Sequence, residues 1–100
     1  MNRNSKIFVA GHNGLVGSAI IRELNKKKLN KIITATRDKL ELTDQQKVLK
    51  FLKKKKPDYI VIAAAKVGGI YSNNKYKAEF IYENLMIQSN LIHSAYLCGV

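Results

Sequence analysis

Cysteine and acidic residues are scarce in this sequence, and each scarcity narrows what the protein can be. The one cysteine, Cys98, provides neither a disulfide framework nor a set of metal ligands. No apolar stretch reaches the roughly 18 residues that a membrane span needs, and the apolar run near the N-terminus is too short for a secretory signal. We therefore expect one globular domain at most, or a piece of one, located in the cytoplasm, without a bound metal and without a membrane contact.

The scarcity of acids leaves a strongly basic chain, with seven Asp and Glu against 18 Lys and Arg and a formal charge of +11. Such an excess can indicate a nucleic-acid partner. The lysines, however, concentrate in Lys26–Lys28 and Lys53–Lys56, each at the end of a predicted helix, where cations favour the helix dipole. No aromatic residues alternate with them as a base-stacking surface would require. We interpret them as solvated helix ends and predict no nucleic-acid partner; binding of anionic ligands or nucleic acid is the alternative.

Strand-like and helix-like segments alternate along the chain. The apolar runs "KIFVAG" and "DYIVIAAA" predict buried strands, "KIITATR" is rich in β-branched residues, and "KLELTD" predicts a short extended piece that could form a further strand. Helical periodicity begins at Leu15, and its predicted buried face consists of Leu15, Val16, Ala19, Ile20 and Leu24. A second helix, capped by Thr43 or Asp44, ends before Pro57, and a long third helix runs from about Lys75 to Leu97.

This alternation predicts the fold class α/β, as a Rossmann-type doubly wound parallel sheet covered by helices on both faces. We expect the first strand to lie inside the sheet, with "KIITATR" and "KLELTD" to one side and "DYIVIAAA" to the other. Residues 1–100 would then form the N-terminal portion of an NAD(P)-binding domain.

Three of the six glycines fall in one stretch, "VAGHNGLVGSAI", at positions 11, 14 and 17. A loop from a strand into a helix presents free backbone N–H groups and the positive end of the helix dipole to a phosphate. Gly11 would allow the tight turn, Gly14 the approach of a diphosphate, and Gly17 the packing of the helix against the sheet. The spacing G-x-x-G-x-x-G differs from the standard G-x-G-x-x-G, and a turn with no ligand is the alternative.

Arg37, at the end of the second predicted strand, indicates which dinucleotide this loop would bind. In such folds this position contacts the adenosine ribose, where an acid accepts from the 2′-OH of NAD and an Arg accommodates the 2′-phosphate of NADP. The planar guanidinium can bind two phosphate oxygens, so the sequence favours NADP. The alternative is a surface Arg37 paired with the adjacent Asp38.

Four segments, "FVAGHNGLVGSAI", "TRDKLELTD", "AAAKVGGIYSNN" and "FIYENLMIQSNLIHSAY", resemble the N-terminal part of the extended short-chain dehydrogenases/reductases, and within them the branch of GDP-L-fucose synthases. The resemblance implies an NADPH-dependent epimerase/reductase that converts GDP-4-keto-6-deoxy-D-mannose to GDP-L-fucose, and a homodimer that packs the third helix. The alternatives are another extended reductase or epimerase of nucleotide sugars, against which "AAAKVGGI" argues, and a nucleotide-binding fragment without catalysis.

The same resemblance implies which residues bind the ligands. Those for the cofactor are Gly11, His12, Asn13, Gly14, Leu15, Val16, Gly17, Arg37, Glu41, Leu42, Ala63, Ala64 and Ala65. Those facing the GDP-sugar substrate are Val67, Gly68, Gly69, Ile70, Asn73 and Asn74. Asn13 stands where family members often carry a second Arg near the 2′-phosphate, so the preference for NADP would rest mainly on Arg37.

No catalytic residue of the family is matched in this sequence. The Ser-Tyr-Lys group that delivers the hydride chemistry, and the Cys and His of the epimerisation, lie further along in family members. Cys98 and His93 do not match them, and we interpret these two as a packing residue and a surface residue. We therefore expect the 100 residues to bind the cofactor without turning over a substrate.

Overall fold

The computed structural model describes residues 1–64 and 74–100, without the side chains of residues 74–77 and 80. In this part of the chain, strands and helices alternate as the sequence predicts. The elements are β1 (Ile7–Ala10), α1 (Leu15–Lys26), β2 (Ile32–Ile33), α2 (Gln45–Lys55), β3 (Tyr59–Ile62) and α3 (Asn74–Cys98). None of the helices in the described ranges is long and apolar enough to cross a membrane.

The three described strands form one parallel sheet in the order β2-β1-β3, which confirms the α/β class and the inside position of the first strand. Ile7 is paired with Ile32 on one side and with Tyr59 on the other. All four residues of β1 are buried, as expected for a central strand with both faces covered. The carboxyl ends of β1 and β3 therefore lie side by side, where ligands bind in open α/β sheets.

The second strand is shorter than predicted, and the "KLELTD" strand is not formed. After Ile33 the chain leaves the ladder, and the N–H groups of Lys39 and Leu40 both donate to the Thr36 carbonyl, at 3.0 and 2.9 Å. A further turn brings the Asp44 N–H to the Glu41 carbonyl at 3.0 Å. These turns satisfy the backbone locally, so the segment has no need of a strand partner.

The core lies between the sheet and the two later helices. Phe8 packs against Phe51 with ring centroids 5.0 Å apart, and the buried cluster comprises Phe8, Ala10, Leu40, Val48, Leu52, Ile87 and Leu91. The Asp44 carboxylate caps α2 by accepting from the Lys47 N–H at 3.1 Å, which confirms Asp44 rather than Thr43 as the cap. Leu40, in the loop after β2, belongs to the same buried cluster as residues of α2 and α3. These two helices therefore hold that loop against the sheet.

The predicted buried face of α1 is wrong at its start. Leu15 and Val16 are 86% and 61% exposed and Ala19 is exposed, whereas Gly17 is buried. With Gly17 turned inward, the 100° step of the helix carries Leu15 and Ala19 to the opposite side. The inner face continues instead through half-buried Ile20, Ile21 and Leu24. A glycine contributes nothing to hydrophobic periodicity, so the pattern assigned this face to its apolar neighbours.

Candidate functional site

The loop between β1 and α1 presents unpaired helix donors at the sheet edge. Gly14 is the N-cap of α1 and no side chain caps it; its carbonyl accepts the first helical bond, from the Ser18 N–H at 2.9 Å. The N–H groups of the first helical turn have no partner within a helix. Together with the helix dipole they form a site for a phosphate group.

The three glycines of this loop serve two different needs. Gly11 has φ +90°, and an added Cβ there would lie 2.6 Å from the Ala64 nitrogen. A Cβ on Gly17 would overlap the Gly11 carbonyl oxygen, so close packing of the helix start on the loop requires this glycine. A Cβ on Gly14 would find Gly11 O at 3.5 Å as its nearest neighbour, an ordinary contact. The fold therefore requires Gly11 and Gly17, and it leaves an open space at Gly14.

A cavity of about 240 Å³ opens beside this space. Nine of the residues predicted to contact the cofactor line it: Gly11, His12, Asn13, Gly14, Arg37, Glu41, Leu42, Ala63 and Ala64. The sequence did not single out four further lining residues, which are Ala35, Thr36, Leu40 and Ile87. Ile87 lies on α3, and its apolar character indicated only a core position.

The other predicted site residues lie elsewhere or outside the described part. Leu15, Val16 and Gly17 form the first turn of α1 and do not line the cavity, although Leu15 and Val16 carry free backbone donors at its edge. Asn74 is the first residue of α3, and its side chain is not described. The remaining predicted residues lie outside the described ranges: Ala65, Val67, Gly68, Gly69, Ile70 and Asn73.

Arg37 points into this site with its guanidinium bound to a carboxylate. Its Nε donates to Glu41 Oε2 at 2.8 Å, and its Nη2 lies 3.9 Å from Glu83 Oε2 on α3. The hydrogen bond and charge of Glu41 raise the pKa of Arg37, and the same bond lowers the pKa of the Glu41 carboxyl. Both groups are therefore charged at neutral pH.

Asp38 is not the ion-pair partner of Arg37. Among the described residues, the carboxylates within 4 Å of the guanidinium are those of Glu41 and Glu83. A hydrogen bond from the Thr36 side chain, followed by backbone N–H groups, lowers the pKa of Asp38. In the described part of the chain Arg37 therefore pairs with Glu41 and Glu83, and not with its sequence neighbour Asp38.

Asn90, on α3, connects this helix to the side of the cavity that Glu41 and Leu42 line. Its side-chain Nδ2 donates to the Leu42 carbonyl at 2.9 Å, and Asn90 is buried. The sequence offers one signal for this role, because a polar residue stands where the helical period places a buried position beside Leu91. The bond fixes the loop that carries Glu41 and Leu42.

Replacing Asn90 with alanine is expected to lower the free energy of unfolding by about 1–3 kcal/mol, because the Leu42 carbonyl loses its partner. Urea unfolding measures this change, and hydrogen exchange at residues 39–43 should accelerate. Gln88→Ala, an exposed position on the same helix, is the control. Equal stabilities of the Asn90 variant and the control would contradict a fixing role.

The chain is similar in sequence to several known proteins. A sequence model of the NAD dependent epimerase/dehydratase family matches residues 7–100. The chain is 52% identical over 99 residues to GDP-L-fucose synthase 1 of Arabidopsis thaliana, which covers 99% of this chain and 31% of that protein. It is 48% identical over 91 residues to GDP-L-fucose synthase of Escherichia coli, which covers 91% of this chain and 28% of the relative.

Solved structures agree with the fold. The GDP-mannoheptose C4 reductase MlghC of Campylobacter jejuni, determined with NADP bound, superimposes with a TM-score of 0.94 at 45% identity. The match covers all of this chain and 32% of that protein. The chain thus spans about 30% of the length of the relatives that it matches.

Proposed function

The chain belongs to the NAD dependent epimerase/dehydratase family, and from this premise we propose that it forms the cofactor-binding part of an NADPH-dependent GDP-L-fucose synthase. One observation carries the proposal: the open space at Gly14, between the free donors of α1 and the cavity that contains Arg37. No close contact within the fold requires a glycine at position 14. A diphosphate group fits the space that this glycine leaves open.

The residues around the cavity suit the parts of NADPH. The start of α1 would hold the diphosphate, Arg37 the 2′-phosphate, and the apolar wall of Leu40, Leu42 and Ile87 the adenine. The small side chains of Ala63 and Ala64 leave the backbone at the end of β3 accessible. When bound, NADPH supplies a hydride to a keto carbon. The described residues bind and orient; none of them is proposed to move a proton.

The names of the relatives support the class of substrate. Two relatives are GDP-L-fucose synthases, and the structural neighbour is a reductase of a GDP-sugar. We propose GDP-4-keto-6-deoxy-D-mannose as the substrate, with epimerisation followed by reduction, so that the whole protein is both isomerase and oxidoreductase.

We also propose a cytoplasmic location, because the single half-buried Cys98 gives no disulfide.

A chimera tests this function. Residues 1–100 would replace the matching segment of the Escherichia coli relative, and we expect NADPH-dependent formation of GDP-L-fucose from the 4-keto sugar nucleotide. The same chimera with Gly14→Val is the control and should lack activity, because its diphosphate site is filled. A chimera that folds and binds NADPH but leaves this substrate unchanged would contradict the proposed substrate.

The outer face of α3 supports a homodimer. Ile81, Leu85, Ile92 and Tyr96 are each exposed over more than half of their surface, whereas Ile87 and Leu91 of the same helix are buried in the core. Their spacing of four, seven and four residues places the four side chains on one stripe. An exposed apolar stripe along a helix is typical of a surface that a partner helix covers. We propose that the same stripe of a second copy covers it.

The double variant Leu85→Glu, Ile92→Glu is expected to be monomeric, because charges placed on the stripe would repel each other across the dimer axis. Sedimentation velocity measures the change from the mass of two chains to that of one. Lys50→Glu, an exposed position on α2, is the control and should remain dimeric. A wild-type chain that sediments as a monomer at all concentrations would contradict the proposed dimer.

A further inference from the structure

Arg37 stands in the wall between two cavities and faces acids in both. The first cavity contains the glycine loop and Glu41. The second cavity has a volume of about 490 Å³ and is lined by Thr43, by Glu83 and by other residues of α3. Thr43 precedes α2, whereas Glu83 lies on α3. One guanidinium is thus set between two carboxylates, at 2.8 and 3.9 Å, and the sum of these three charges is negative.

The two carboxylates differ in how they are placed, and neither placement involves a ligand. The Thr43 hydroxyl donates to Glu41 Oε1 at 2.9 Å, while Arg37 Nε occupies Glu41 Oε2. Glu83 Oε2, the atom that faces Arg37, is shielded from solvent. The Arg37 side chain itself is 59% exposed, so it is the movable member of the three.

This arrangement affects NADPH and NADH differently. A 2′-phosphate carries nearly two negative charges and needs the guanidinium donors that Glu41 and Glu83 attract. It must draw Arg37 from its partners and approach two carboxylates of its own sign. The neutral 2′-OH of NADH meets no such repulsion, and a carboxylate can accept a hydrogen bond from it.

We propose that Glu41 and Glu83 compete with the 2′-phosphate for Arg37 and so determine how strongly NADPH is preferred over NADH. The proposal rests on the function proposed above, namely that the cavity binds this cofactor. The preference for NADPH over NADH is then determined by three residues together, and not by Arg37 alone. Two of its members, Arg37 and Glu83, are distant in sequence and meet only in the fold.

The test is a set of dissociation constants for NADPH and NADH, measured by titration calorimetry with the full 100-residue chain and its variants. Glu41→Gln should raise the preference for NADPH by about three- to tenfold, because it removes a charge that repels the phosphate. The amide oxygen keeps an acceptor for Thr43. Glu83→Gln should raise the preference by about twofold, in keeping with its longer distance from Arg37.

Two controls separate competition from a general change of charge. Glu79→Gln removes the same charge from an exposed residue that lines the second cavity. No ion pair joins Glu79 to Arg37 among the described residues, and the variant should leave the preference unchanged. Arg37→Ala should abolish the preference by weakening NADPH and leaving NADH nearly unchanged. The gap between wild type and Glu41→Gln should narrow at high salt, since screening weakens the repulsion.

The outcomes distinguish the two proposals. A wild-type chain that binds NADPH, with Glu41→Gln binding it equally or more weakly, would overturn the competition alone and would mean that Glu41 orients Arg37 for the phosphate. An equal gain from Glu79→Gln would also overturn it, because the effect would then be unspecific. A folded wild-type chain that binds neither NADPH nor NADH would overturn the proposed function, and this inference with it.

Discussion

Replacing Gly14 with valine is expected to weaken NADPH binding at least about 100-fold while the chain stays folded. The valine side chain would occupy the open space at the start of α1, where the diphosphate would otherwise accept hydrogen bonds from backbone donors. Losing two charge-assisted hydrogen bonds alone corresponds to about that factor. The backbone at Gly14 has φ −77° and ψ 168°, an extended conformation that valine adopts readily.

The fold should tolerate this change because an added Cβ meets only Gly11 O, at 3.5 Å. A β-branched residue is a poor N-cap, so we expect a loss of about 1 kcal/mol in the free energy of unfolding. Titration calorimetry and urea unfolding on the same samples separate the two effects. Gly14→Ala, with its smaller side chain, should bind with intermediate affinity. A folded valine variant with wild-type affinity for NADPH would show that the diphosphate lies elsewhere.

Replacing Gly17 with alanine is expected to have the largest effect on stability. Its Cβ would overlap the Gly11 carbonyl oxygen and would lie 2.8 Å from the Gly11 carbonyl carbon, so backbone has to move. Overpacking typically costs about 1–3 kcal/mol and occasionally more. Because backbone has to move here, we expect the upper end of that range, a large part of the roughly 5–15 kcal/mol by which a domain is stable. Urea unfolding should show a large decrease of the midpoint or a chain already unfolded without urea.

Gly99→Ala is the matched control for this variant. Gly99 has φ +75°, so alanine is strained there, yet its Cβ would find no atom within 4 Å. We expect a loss of about 1 kcal/mol from the backbone conformation alone. Equal losses for the two variants would contradict the close packing of α1 on the glycine loop, because only Gly17 is enclosed.

The central strand, the glycine loop and the following helix could be predicted because their signals are local. An apolar run, three spaced glycines and helical periodicity occur within one short stretch. The length of β2 could not be predicted in the same way, since β-branched residues favour a strand but the turns at Thr36 decide where pairing stops. The buried face of α1 was missed because contact between Gly17 and the loop determines the rotation of the helix.

The residues of the candidate site also differ in whether local sequence signals could identify them. The parts close in sequence could be identified from spacing and resemblance, namely Gly11 to Gly14 and Arg37 with Glu41 and Leu42. The contact of Arg37 with Glu83 and that of Asn90 with Leu42 depend on how α3 packs on the turns after β2. Nothing near Arg37 in the sequence indicates Glu83, and the adjacent Asp38 was the more obvious partner. Packing between distant segments therefore adds a second carboxylate to the local pair of Arg37 and Glu41.

The most direct measurement is the change of backbone amide chemical shifts when the nitrogen-15-labelled chain is titrated with NADPH. We expect the largest changes at Leu15 and Val16, whose free N–H groups would contact the diphosphate, and at Gly14 beside the open space, with further changes near Arg37. The amides of Lys53–Lys56, at the far end of α2, should change little. Saturable shifts at those lysines, with none in residues 11–17, would contradict the account, because NADPH would then bind the basic helix end and not the glycine loop.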